Sequence, residues 1–228
     1  MQKVIFGIFA HPDDEAFGPS GYFIKEVHDG TELHLITLTL GEAGMNPDGH
    51  ADLAAVREKE WRRGGELMGA ASMHFLGFKD GQLNNTSMIV ASKKLVELVG
   101  ETISGAPNDV VIDFITSDLN GISGHIDHIV AARAASWAFY TLKQHDARLT
   151  KIKYACIPYS QFPDTNVDWL YMEPGRHDNE IDEVVDARDY RAQIIEVMRA
   201  HHTQREDGEM HIRTRKDALG MNYFIVKA

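Results

Sequence analysis

Cysteine occurs once, at Cys156, which excludes an internal disulfide framework and any zinc site built from several thiolates. That residue lies in an apolar stretch, residues 152–158, with no basic cluster or helix start beside it, so it reads as a small buried side chain. Basic residues are outnumbered: 23 Lys and Arg stand against 34 Asp and Glu, a formal charge of −11. Nucleic acid and anionic membrane both need a basic footprint, so neither is expected as the main partner. No apolar run approaches membrane-spanning length. The N-terminus enters a strand with no charged-then-apolar leader, and a cytoplasmic location is expected. The first strand does not lead into Gly-x-Gly-x-x-Gly, which argues against a nucleotide-binding oxidoreductase. Internal repeats, low-complexity tracts and linkers are also missing, so residues 1–228 read as one domain.

What is present is an alternation of two periodicities. Apolar runs at 4–9, 33–40, 73–76 and 110–115 read as strands. Between them, residues 15–28, 51–69, 87–104 and 125–142 read as helices, and 41–49 as a turn-rich loop. That order predicts parallel strands with crossover helices, a Rossmann-like three-layer α/β/α sandwich with a mostly parallel sheet. The later chain is less regular. A strand is expected at 152–157, a loop or small hairpin at 162–177, a helix at 186–202 and a last strand at 222–226.

The chemistry concentrates where strands end. Ala10-His11-Pro12-Asp13-Asp14-Glu15 follows the first strand, and Gly124-His125-Ile126-Asp127-His128 follows the strand at 110–115. In open α/β sheets that edge is where ligands bind. Each motif alone has an ordinary reading: His-Pro-Asp as a turn, and Asp127 as a helix starter. Their joint occurrence at one edge favours a metal site. His11, Asp14 and His128 make a two-histidine, one-carboxylate set, which leaves a coordination position for water or substrate. Asp13 beside them is placed to take a proton from water and deliver it to a leaving amine. His125, held by Asp127 or a backbone carbonyl, is a candidate protonated donor to a developing oxyanion. Together these describe hydrolysis of an amide or ester.

These residues resemble the PIG-L/LmbE-type metal-dependent N-deacetylases, which remove acetyl from N-acetylglucosaminyl groups and related amides. The first motif is similar to the family's Ala-His-Pro-Asp-Asp-Glu in full, and His125-Ile126-Asp127-His128 to its His-Pro-Asp-His, with Ile126 in place of proline. Gly41-Glu42, the helix pattern Arg57-Glu58-Lys59-Glu60, the segment from Phe75 to Leu83 and His201-His202-Thr203-Gln204 resemble further family motifs in order. The resemblance implies zinc held by His11, Asp14 and His128, with other divalent metals also accepted by such a donor set. It implies Asp13 as general base, His125 as the group stabilising the tetrahedral intermediate, and Arg57 and Asp80 as substrate contacts. Asp127 joins Asp13 and His125 in the expected catalytic set. Ser123 stands where some members place a tyrosine.

The expected activity is release of acetate from an N-acetylated amino sugar or glycoside, with that small molecule as the partner. A non-catalytic sugar-binding protein of the same fold, or a hydrolase of another acyl amide or ester, is the alternative. The sequence leaves the oligomeric state open, a homo-oligomer included. Trp137, Phe139 and Tyr140 are expected in the core, and Trp169 and Tyr171 are the candidates for stacking on a sugar. His211 and the other histidines outside the motifs are expected to be structural or exposed, while His201 and His202 are candidates for approach to the pocket.

Overall fold

The first strand, β1 (Lys3–Phe9), is apolar on both faces, and covering both faces generates the architecture. In the computed structural model, which describes residues 2–161 and 175–228, Val4, Phe6 and Ile8 point into one core and Ile5 and Phe9 into a second. Between them, Gly7 has no side chain because a Cβ there would lie 2.9 Å from both Phe23 and Leu35.

After β1 come α1 (Asp14–Phe17), α2 (Ser20–His28), β2 (Glu32–Thr37), α3 (Leu53–Met68), β3 (Ser72–Phe75), α4 (Asn85–Ile103) and β4 (Val111–Ser117). The short α5 (Gly121–Gly124), α6 (Ile126–Lys143), β5 (Leu149–Cys156), β6 (Glu183–Asp186), α7 (Arg191–Ala200), α8 (Arg205–Arg215) and β7 (Met221–Lys227) complete the order, with 3₁₀ turns between. The sheet runs β3-β2-β1-β4-β5-β7-β6. Strands β1 to β5 pair in parallel, and β7 pairs antiparallel with β5 and β6. Helices α4 and α6 cover one face, and α2, α3 and α7 the other. The α/β/α sandwich with a mostly parallel sheet is therefore the observed fold. Helix α6 packs through Ala131, Ala134, Ala135 and Ala138, whose small side chains allow a close approach to the sheet.

Several boundaries differ from the sequence reading. The helix expected at 15–28 is two helices, because Gly18 and Pro19 interrupt it. Proline lacks the N–H and disfavours α geometry in the residue before it. The helix expected from 186 begins at Arg191, since Glu183–Asp186 is taken up as the edge strand β6. Helix α8 was not anticipated: its sequence is strongly polar and gives little apolar periodicity. Phe139 is in the core as expected, but Trp137 and Tyr140 are 51% and 41% exposed on the outer side of α6. Trp169 and Tyr171 lie outside the described residues. Among the described residues, no helix is long and apolar enough to cross a membrane.

Candidate active site

The chain leaves β1 toward β2 on one side and later places β4 on the other, so the sheet order switches direction between β1 and β4. The crevice outside the carboxyl ends of such strands is the natural ligand site of this architecture. Both sequence motifs meet there. His11, Asp13, Asp14, His125 and His128 line one cavity of about 650 Å³.

His11 Nδ1 lies 3.1 Å from His128 Nε2, which lies 3.1 Å from Asp14 Oδ1, and His11 Nδ1 lies 3.9 Å from Asp14 Oδ2. Donors about 2.1 Å from a tetrahedral ion sit roughly 3.4 Å apart, so these spacings fit a divalent cation. The outer atoms of each residue are already engaged. Asp14 Oδ2 accepts from the backbone N–H groups of Ala10 and His11, turning Oδ1 to the site. His128 Nδ1 is 3.2 Å from the Gly121 carbonyl, which fixes its proton there and presents Nε2 as a lone pair. His11 Nε2 lies 2.8 Å from Asp80 Oδ1, a close contact without the alignment of a full hydrogen bond.

A second grouping, His11, His125 and Asp127, also clusters. It is the poorer cage: Asp127 is buried and already accepts from the N–H groups of Gly81 and Leu83, while His125 Nδ1 accepts from the N–H of Asp127. The wider electrostatics also call for a cation. Burial alone lowers the His11 pKa, yet Asp127, Asp80 and Asp14 around it raise it to about 10. Burial raises that of Asp14, but the charges of His128 and His11 outweigh it and hold the carboxylate well below its usual range.

Asp13 is differently placed. Its φ of 111° is a left-handed conformation that non-glycine residues seldom adopt, a strain of about 1–3 kcal/mol. Its carbonyl accepts from Ala16 and Phe17 to start α1. Its carboxylate is 2.7 Å from Arg57 Nη2. Burial lifts its pKa to about 6, with Arg57 opposing and Asp14 adding to the rise.

Arg57 lines the cavity, but its fork is largely engaged by the protein: Nη1 donates to the Gly41 carbonyl, and Nη2 to the Pro12 carbonyl as well as to Asp13. Asp80 lines the cavity and accepts from the N–H of Ala43. Asp127 holds the 81–83 segment by its carboxylate, and its backbone N–H donates to His125 Nδ1. That bond makes Nδ1 of His125 the acceptor and places the proton on Nε2. Burial, then the neighbouring His128 and His11, lower the His125 pKa, which disfavours the protonated ring expected from the sequence.

Two features escaped the sequence. Gly41 and Gly44 are open because Arg57 passes them: a Cβ would fall 2.3 Å from the guanidinium at Gly41 and 2.5 Å at Gly44. His201 is buried with its Nε2 3.3 Å from Glu15 Oε1, and Glu15 Oε2 in turn accepts from the N–H of Asp13. The repeated Gly of 41–44 and the Glu ending the first motif were the visible signals. Cys156 is buried as expected, and burial pushes its thiol up to about 12.

Comparison with known proteins places these features in a family. The model of the GlcNAc-PI de-N-acetylase family, PIG-L, matches residues 6–139. A 1D-myo-inositol 2-acetamido-2-deoxy-alpha-D-glucopyranoside deacetylase from Geodermatophilus obscurus is 29% identical over 179 residues, covering 67% of this chain and 61% of that protein. One of the same name from Thermobispora bispora is 28% identical, covering 100% of this chain and 88% of that protein. Among solved structures, N,N'-diacetylchitobiose deacetylase from Pyrococcus horikoshii aligns with a TM-score of 0.71 at 18% identity, over 99% of this chain and 83% of that one. At that identity the likeness speaks for the fold, whereas the family match spans both motifs. The chain belongs to the GlcNAc-PI de-N-acetylase (PIG-L) family.

Proposed function

We propose that this chain is a metal-dependent N-deacetylase that hydrolyses the acetamido group of an N-acetylated amino sugar, working as a single domain. The observation that carries the reading is the convergence of His11 Nδ1, Asp14 and His128 Nε2 within 4.8 Å of one another, in a cavity that also holds Asp13 and His125. These three residues would hold the cation, and their two nitrogens and one carboxylate suit zinc. Bound there, a divalent cation supplies a Lewis acid for the acetyl carbonyl and makes water acidic near neutral pH.

Asp13 takes a proton from the attacking water and returns it to the sugar nitrogen as the C–N bond breaks, leaving acetate and a free amine. Its raised pKa, about 6, suits a group that must both accept and give a proton near neutrality. Arg57 keeps its carboxylate aimed at the cavity. His125 donates its Nε2–H to the oxygen on which negative charge develops. Asp80, on the cavity wall, is placed to accept from a sugar hydroxyl. Asp127 acts through the others, fixing the 81–83 segment and the start of α6.

The test is acetate release from a panel of N-acetylglucosaminides by the zinc-loaded chain, with metal content measured in parallel. D13A is expected to keep one metal per chain and lose about 10³-fold in rate, within the span of general acid–base catalysis. H128A is expected to lose the metal itself. No acetate from any substrate favours the sugar-binding alternative, and full activity of D13A removes Asp13 from the chemistry.

A further inference from the structure

The cavity continues beyond the metal cluster along α8. Asp207, Met210, His211, Thr214 and Arg215 all line it, at the three- and four-residue spacing of one helix face. Asp207 lies at the near end, close enough to Arg57 to feel its charge. Arg215 comes eight residues later, about 12 Å further along the helix at 1.5 Å per residue. The same cavity is also lined by Ile157 and Pro158, just after β5, and by Tyr223 of β7.

Arg215 differs electrostatically from most arginines of the chain. Eight other arginines lie within 3.2 Å of a carboxylate. Among the described residues Arg215 has neither a hydrogen bond nor an ion pair. Burial pulls its guanidinium down to about 10, which still leaves it charged at neutral pH. A cation in the last turn complements the helix dipole, but Arg213 in the same turn serves that end from an exposed position. The dipole therefore does not account for a guanidinium turned into a cavity in a chain of net charge −11.

We infer that Arg215 is a specificity-determining residue that binds an oxyanion, a carboxylate or phosphate, on the aglycone of the acetylated sugar. The inference rests on the deacetylase reading for the sugar end of the cavity. The planar fork of arginine matches both anions in two-point contact. Apolar residues of the same cavity, Met210, Ile157 and Pro158 among them, lower its polarity and so strengthen such a pair. With the acetamido group at the metal cluster, the sugar hydroxyls face Asp80 and Asp207, and the anionic aglycone reaches Arg215.

The experiment uses three glucosaminides on the zinc-loaded chain: methyl, carboxymethyl and 2-phosphoethyl. Calorimetry with the free-amine forms, which cannot turn over, measures binding, and the N-acetyl forms measure kcat and KM. At least one charged glycoside is expected to bind 10-fold or more tighter than the methyl glycoside, and the two charged arms tell carboxylate from phosphate. R215Q should bring the three affinities within twofold of one another, with the change in KM and not kcat. R215K should retain part of the preference. Equal binding of all three by the native chain overturns the inference, as does R215Q weakening all three by one factor. A charge preference in binding with no acetate from any N-acetyl form would overturn the deacetylase reading and leave the anion site standing.

Discussion

Arg57 Nη2 lies 2.7 Å from Asp13 Oδ2 and 2.6 Å from the Pro12 carbonyl, so one side chain grips both the carboxylate of the strained residue at the mouth of the site and the backbone just before it. Asp13 departs from ordinary backbone geometry, and strained residues persist only where their surroundings over-determine them. Arg57 is 4% exposed and reaches Asp13 from α3, so it acts at a distance of 44 residues in sequence. Its family resemblance suggested a substrate contact, but its hydrogen bonds make it first a holder of Asp13.

R57M is therefore expected to cut kcat/KM by about 10²-fold or more, the lower end of what a positioned general base supplies. Metal content should be unchanged, because no expected ligand touches Arg57. R57K should recover only part of the loss, since an ammonium cannot span the Gly41, Pro12 and Asp13 oxygens with a planar fork. Steady-state kinetics with elemental analysis checks both points. Loss of metal in R57M would show that the residue supports the cluster as a whole.

Gly44 gives an independent handle on the same contact. A Cβ there would lie 2.5 Å from Arg57 Nη1, and its backbone does not need a left-handed angle, so the substitution acts through space alone. G44A should reproduce the R57M defect in kind. Combining the two should cost little beyond the worse of them, because residues acting through one contact are not additive. A fully additive double variant would separate Gly44 from Arg57.

The pairing of Glu15 with His201 is a stability matter. Both side chains are 1% exposed and lie 3.3 Å apart, without the alignment of a hydrogen bond. Removing one member of a buried pair leaves the other without compensation. E15A is expected to destabilise the fold by about 3 kcal/mol in urea titration, whereas E15Q, which keeps a polar group beside His201, should lose less. Equal losses would mean that packing, not polarity, dominates there.

How much of this was legible in the chain depends on the length scale of each signal. β1, β4 and the two motifs at their ends were readable because apolar runs and adjacent ligand residues are local patterns. The convergence of His11 and His128, 117 residues apart, followed from the alternation of strands and helices, since parallel strands bring their carboxyl ends to one edge. Arg57 on Asp13 was not readable: a polar helix gives no sign of which arginine turns inward. Helix α8 escaped for a related reason. Its cavity face carries Asp207, His211, Thr214 and Arg215, so the face that matters is polar and hides the helical period. His211, with no partner motif, is expected to be structural or exposed; it stands half-buried on the cavity wall.

His211 then carries a pH prediction. Burial, with Arg215 adding, lowers its pKa to about 3 from the ordinary 6.5. Between those values the unfolded chain holds a proton on this ring that the folded chain does not, so folding becomes less favourable as pH falls through that window. Above pH 6.5 the ring is neutral in both states and contributes no slope. From pH 8 to pH 5 the native chain should lose roughly 1–2 kcal/mol more than H211Q, which has no proton to take up, at 1.36 kcal/mol per unit. Urea titrations of the two proteins at both pH values give the difference directly, with carboxylates elsewhere cancelling between them. Parallel losses would mean that His211 takes up its proton in the folded chain as readily as in the unfolded one, and the cavity wall would then be charged in mild acid.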